Sequence, residues 1–205
     1  MTMNYLRNRW YDIGIVLALA VAVFLLIRTG ISSFQFLLWV SLLSLFLHQF
    51  EEYRFPGYFP GMVNTVMFGS KHPDRYPLNT NTSLIVNVFI GWPLYFLAAL
   101  LAEKTVWLAI ASVVVSVGNI IVHTFVFNFK GRTVYNPGMA TATLLFLPIS
   151  VYFFYFIERS DLAKTFDYVV GIPFGLIINY VGVIKIIEWL KDEHTKYVFP
   201  ARCVS

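Results

Sequence analysis

Charge is what this sequence has least of. Asp, Glu, Lys and Arg make up 13% of its 205 residues, about half the share usual in a soluble domain. Hydrophobic residues supply 58% and mean hydropathy is +0.69. So little charge excludes a soluble globular fold and places the chain in a membrane. Cysteine is rarer still: Cys203 is the only one, which excludes an internal disulfide and a thiolate-rich metal centre. The net charge of +4 forms no dense basic patch. Its basic residues are scattered over short loops, a topology signal that points to membrane lipid as partner and to no nucleic acid.

Aromatic residues are plentiful instead, with 20 Phe and 12 Tyr, suited to the lipid interface and to helix contacts. Apolar runs near crossing length fall at about 13–27, 34–48, 84–102, 105–127, 139–157 and 168–189. The first follows a polar start with Arg7 and Arg9 and continues through Phe24, Leu25 and Leu26 with no polar cleavage region, so an uncleaved span is predicted. Between the second and third runs lies a long connection, 53–82, with Phe55-Pro56-Gly57 and Phe59-Pro60-Gly61 in near repetition. It is too rich in Pro and Gly for one helix and too apolar for a free linker; it is expected to lie at the interface or to fold back as a cap. Asn79 to Ser83 offers N-cap residues for the third span, in which Pro93 predicts a kink. The expectation is an all-α polytopic membrane bundle of about six transmembrane helices, a single domain over 1–190, followed by a polar tail over 191–205 with no fold of its own.

Six spans leave both termini on one side. Ten basic residues fall on that side, from Arg7 and Arg9 to Lys196 and Arg202, against Arg28, Lys104, Arg159 and Lys164 on the other. The excess predicts a multi-pass protein of the cell (plasma) membrane with both termini in the cytoplasm. On that topology His48 and His123 end inward-going spans, while Asn87 and Thr141 begin outward-going ones. Polar groups therefore gather at the inner leaflet.

The sharpest motif is His48-Gln49-Phe50-Glu51-Glu52, at the polar end of the second span. On a helix both carboxylates, at i+3 and i+4, lie on the side of the imidazole. With His123 from the fourth span they form a mixed nitrogen and oxygen set, His48, Glu51, Glu52 and His123, suited to a divalent metal such as zinc or iron with an open position. The carboxylate left over from ligation is then a general base for water, and Asn119, one turn before His123, is placed to orient that ring or polarise a carbonyl. Glu51, Glu52 and Asn119 are thus the candidate catalytic residues. The alternative is a structural network in which Glu51 or Glu52 pairs with Arg54, Arg132 or Lys185, the histidines are hydrogen-bonded, and the cluster fixes helix register. Tyr135-Asn136-Pro137-Gly138 reads as a turn opening a helix. His72 is expected on a solvated loop, His194 on the tail, and Lys185 with Glu188 as an ion pair.

Taken together, the His48 to Glu52 motif, the later His123 and the Tyr135 to Gly138 segment resemble the HXXEE family of bacterial and archaeal membrane proteins. The resemblance runs from the second span to the fifth and supports the choice of residues without implying a reaction. Function remains divided between a metal-dependent enzyme acting on a lipid or lipid-linked substrate and a non-enzymatic partner protein with a structural cluster. A transporter fits less well, because polar groups do not continue through the outer half.

Overall fold

Among residues 3–204, which the computed structural model describes, five runs are long and apolar enough to cross a bilayer: Met3–Ile27, Ser33–Tyr53, Thr80–Gly131, Met139–Arg159 and Thr165–Trp189. No strand occurs among the described residues. The third run, of 52 residues, is not one rod. At Ala102–Thr105 it tightens into a 3₁₀ turn, with Ala102 at φ 43° and Thr105 at φ −142°, ψ 61°. Beyond that turn the chain doubles back: the hydroxyls of Tyr95 and Ser116 lie 2.7 Å apart, whereas a straight helix would hold them about 30 Å apart. The helices are accordingly α1 (Met3–Ile27), α2 (Ser33–Tyr53), α3 (59–67), α4 (80–101), α5 (106–131), α6 (Met139–Arg159) and α7 (Thr165–Trp189).

Local chemistry sets the helix starts. Ser32 Oγ accepts the Gln35 N–H at 2.9 Å to cap α2, and Asn79 Oδ1 accepts the N–H groups of Asn81 and Thr82 at 3.0 Å to cap α4. In α4 a π turn over Ile85–Gly91 precedes Pro93, a change of register at the point where proline removes a backbone donor. Further π turns cover Val122–Val126 in α5, Ala142–Phe146 in α6 and Ile178–Lys185 in α7. Asn87, His123 and Asn179 each lie inside one.

Close packing follows small residues. A Cβ on Gly171 would meet the Trp107 carbonyl oxygen at 2.5 Å, and one on Gly175 the Ala111 carbonyl oxygen at 2.8 Å, so this pair lets α7 sit directly on the backbone of α5. One core, built on Phe34, Leu38, Leu42, Ile110, Phe146 and Phe153, fills the half of the bundle away from the α2 C-terminus. A second gathers Trp10, Tyr11, Tyr53, Leu84, Phe127 and Phe199 around that C-terminus.

The connection after α2 packs against the helices. Phe59 of α3 stacks on the His123 ring with centroids 4.9 Å apart. Fully buried Asn64 ties the loop together, donating to the carbonyls of Pro73 and Leu78 at 2.8 and 2.9 Å and accepting the Leu78 N–H at 2.9 Å. The tail departs from the expectation of a segment without structure. Arg202 donates to the Tyr53 carbonyl at 2.7 Å, Phe199 N–H to the Asp74 carbonyl at 2.8 Å, and Phe199 and Cys203 are buried. The unpaired carbonyls at the end of α2 give a guanidinium a reason to dock there.

Candidate metal centre

The last two turns of α2 carry His48, Glu51 and Glu52, but successive helical residues point about 100° apart. The two carboxylates therefore part company. Glu52, one full turn from His48, faces the same side, and its Oε1 lies 3.6 Å from His48 Nε2 and 3.2 Å from His123 Nε2. His123 reaches this point from the π turn of α5. All three side chains are buried, with exposures of 2% for His48, 5% for Glu52 and 0% for His123. One ligand atom from each lies within 4.8 Å of the others, so the group can hold a metal ion.

Hydrogen bonds on the far side of each ring decide what it presents. Asn136 donates through Nδ2 to the His123 carbonyl at 2.7 Å and to Asn128 Oδ1 at 2.9 Å, which turns its Oδ1 towards His123 Nδ1 at 2.7 Å. That oxygen only accepts, so Nδ1 of His123 carries the proton. Thr141 donates its hydroxyl to Glu51 Oε2 at 2.6 Å and hence accepts from His48 Nδ1 at 2.9 Å. In its neutral form each imidazole then presents Nε2 as a lone pair. Neither Nε2 makes a hydrogen bond. Two nitrogen lone pairs and a carboxylate oxygen converge with no donor among them, a set that a cation satisfies and that mutual repulsion otherwise opposes. The observed 3.2 and 3.6 Å separations bracket the ~3.3 Å between neighbouring ligand atoms of a tetrahedral site with bonds of about 2.0 Å.

Glu51 has a different position. Its Oε1 accepts from the Tyr135 hydroxyl at 2.8 Å and the Ala140 N–H at 3.1 Å, and its Oε2 from the Thr141 N–H at 2.8 Å and the Thr141 hydroxyl. A carboxylate at the first turn of α6 satisfies amides that have no partner within the helix. Burial and the Glu51 bond both push the Tyr135 phenol up, so it stays protonated and donates. Of the four predicted ligands, the structure brings His48, Glu52 and His123 together and leaves Glu51 outside the group. The pairing proposed for a structural network is not found: among the described residues Arg54 pairs with Asp12 at 3.0 Å and Lys185 with Glu188 at 2.6 Å. Asn119 donates to the Val115 carbonyl at 3.0 Å and lines the cavity beside the group.

Sequence reasoning set Tyr135 to Gly138 aside as a turn, yet this segment builds the wall of the site. Gly138, at φ 101°, is packed against the His123 ring so closely that a Cβ would lie 2.4 Å from Cε1. The signal was a polar Asn136 inside a motif whose Pro and Gly explained themselves as a helix start.

A family model described as a protein of unknown function with HXXEE motif matches residues 39–153. This chain belongs to the HXXEE family. No curated protein and no solved structure matches it. The motif of this HXXEE protein thus divides between two tasks: its first Glu, Glu51, holds the start of α6, and its His and second Glu face His123.

The group opens on a cavity of about 330 Å³ in the HXXEE protein, floored by His48, Glu52 and His123 and walled by apolar side chains of α2, α3, α4, α5 and α7. Phe59, Val63 and Met67 of α3 line it together with Leu94, Tyr95 and Leu176.

Proposed function

We propose that this HXXEE protein is a metal-dependent membrane enzyme that binds one divalent cation, zinc or iron, through His48, Glu52 and His123 and acts on a lipid or lipid-linked substrate. The observation that supports it is the pair of buried imidazole Nε2 atoms, each presented as a lone pair of the neutral ring by a partner on its other nitrogen, aimed with Glu52 at one point. Two His and one carboxylate with an open position match catalytic zinc and non-haem iron sites. A bound ion would supply Lewis acidity and an activated water. The chain's own residues do the rest: Asn136 and Thr141 hold the rings, Asn119 meets the polar group of the substrate, and Phe59 with the wall of α4 excludes bulk water. Glu51 is assigned to positioning α6 and, through Thr141, His48.

We further propose six crossings, with the reversal at 102–105 on the outer side and both termini in the cytoplasm, as the excess of basic residues argues. The site then lies at the inner leaflet, within reach of a substrate entering from lipid.

Metal analysis of the purified chain beside His48→Ala and His123→Ala tests the reading. About one divalent ion per chain is expected in the parent, with loss in both variants. A metal-free parent after growth and purification without chelators, with both variants less stable than the parent, would favour a non-enzymatic protein with a structural cluster.

A further inference from the structure

One tyrosine of the cavity wall is a donor without an acceptor. The Trp92 indole N–H, which can only donate, binds Gln49 Oε1 at 2.7 Å, so Gln49 Nε2 is the donor to Asn87 Oδ1 at 3.0 Å. Asn87 Nδ2 in turn donates to the Ser83 carbonyl at 2.8 Å and to the Tyr53 hydroxyl oxygen at 3.4 Å. Every bond from Trp92 onward therefore runs one way, and the last falls on Tyr53. The Tyr53 O–H has no acceptor among the described residues, although the side chain is only 3% exposed and lines the cavity with Gln49 and Asn87. Buried phenols usually find a partner, and a donor at the end of such a chain is strengthened by the bonds behind it. The other phenol of the wall, Tyr95, is engaged with Ser116 at 2.7 Å.

Resting on the metal-enzyme reading above, we propose that this cavity takes a single-chain fatty acid, its carboxylate oxygens shared between the cation and the Tyr53 hydroxyl and its chain lying along Leu94, Val115 and Leu176. Charge sets the head. Glu52 is the one acidic residue among the described residues that line the cavity, and no Lys or Arg joins it. A divalent ion held by Glu52 and two neutral imidazoles thus keeps one positive charge, which a single carboxylate balances in a buried setting. Tyr53 gives the same head a hydrogen bond. Length sets the chain. Val115 lies eight residues before His123 on α5, about 12 Å along the helix, which an extended run of single bonds covers in about ten carbons. Ile90 and Leu94 of α4, Val115 of α5 and Leu176 of α7 make the wall aliphatic. The volume of about 330 Å³ is near the lower end for small-molecule pockets, and suits one chain and not two.

The test uses the full-length protein in phosphatidylcholine nanodiscs, loaded with zinc, and three photoreactive probes of one chain length with a diazirine near the methyl end: dodecanoic acid, dodecyl phosphate and dodecyl trimethylammonium. The acid is expected to label the peptides that carry Leu94, Val115 and Leu176 about tenfold more than the ammonium probe, and more than the phosphate. Tyr53→Phe keeps the ring that packs on Trp10 and Phe59. It should cut labelling by the acid about tenfold while bound zinc, measured on the same sample, stays at the parent level. Acid labelling unchanged in Tyr53→Phe overturns the proposal, as does equal labelling by the ammonium probe or stronger labelling by the phosphate. If the variant is unstable, the comparison of the three probes on the parent protein decides alone. Metal content separates the two readings: a chain that takes up neither zinc nor iron fails the metal centre and this proposal with it, and a zinc-loaded chain without preference for the acid fails this proposal alone.

Discussion

Asn136 grips His123 twice, accepting from its ring Nδ1 and donating to the His123 backbone carbonyl, both at 2.7 Å. The side chain is fully buried and its remaining donor is spent on Asn128 at 2.9 Å, so it cannot swing away without breaking three bonds. Replacing it with Leu removes the group that sets the ring's tautomer. Affinity for the divalent ion is expected to fall about 10- to 100-fold and stability by about 1–3 kcal/mol from the unpaired carbonyl. Asn136→Asp keeps an acceptor for Nδ1 and should recover most of the affinity. Competition with a coloured chelator reads both variants; unchanged affinity in Asn136→Leu would mean that packing alone holds the ring.

Gly138 fills a place no other residue fits. Its positive φ is strained for a side chain, and a Cβ would sit 2.4 Å from the His123 ring. Gly138→Ala should therefore cost about 1–3 kcal/mol and rotate His123 out of line with Glu52. A lower apparent Tm with metal content well below the parent is the expected pair of results. Full metal content would show that the ring keeps its place.

The two glutamates of the motif should separate experimentally. Glu51→Gln puts an NH₂ where two backbone N–H groups and two hydroxyls now donate, so a loss of about 2–4 kcal/mol is expected. Glu52→Gln removes an anionic ligand without touching the start of α6, and should abolish tight metal binding while leaving the metal-free protein as stable as the parent. Thermal unfolding and metal content, measured on both, check this. The opposite pattern would exchange their roles.

Packing of α7 supplies a control remote from the ligands. Gly171→Leu forces a side chain into the Trp107 carbonyl, which lies 2.5 Å from where its Cβ must be. Overpacking of this kind costs about 1–3 kcal/mol. The apparent Tm should drop, yet folded protein should retain its ion, because none of His48, Glu52 and His123 lies on α7. Loss of the ion from folded Gly171→Leu would tie the site to this interface.

How much of this was legible beforehand follows from the range of each interaction. Apolar runs are local, so the helices and the reversal near Glu103 could be read directly, as could the i, i+4 partnership of His48 and Glu52. Glu51 could not be separated from Glu52, because only the approach of α6 gives it a partner, and α6 begins 86 residues after α2 ends at Tyr53. Asn136, Gly138 and Thr141 owe their roles to the same long-range meeting. The tail was misjudged for a related reason: its polar composition hid Phe199 and Cys203, which become apolar plugs only once the end of α2 offers Arg202 its free carbonyls.

Chelation gives the most direct prediction, because it needs no substitution in the protein. Three acceptors meet in a buried space, and an ion that binds the folded chain alone adds stability by mass action. At an ion concentration 100 times Kd that addition is about 2.7 kcal/mol, and for a chain of this size about 5–10 °C in apparent Tm. A strong chelator should therefore lower the midpoint by that amount, and adding back zinc or iron should restore it. His48→Ala should melt below the chelated parent, because it also loses a buried side chain, and should ignore both treatments, since one of the three ligands is gone. A parent midpoint indifferent to chelator and to added ion, with the protein shown to be folded, would leave the convergence of His48, Glu52 and His123 without a cation to hold.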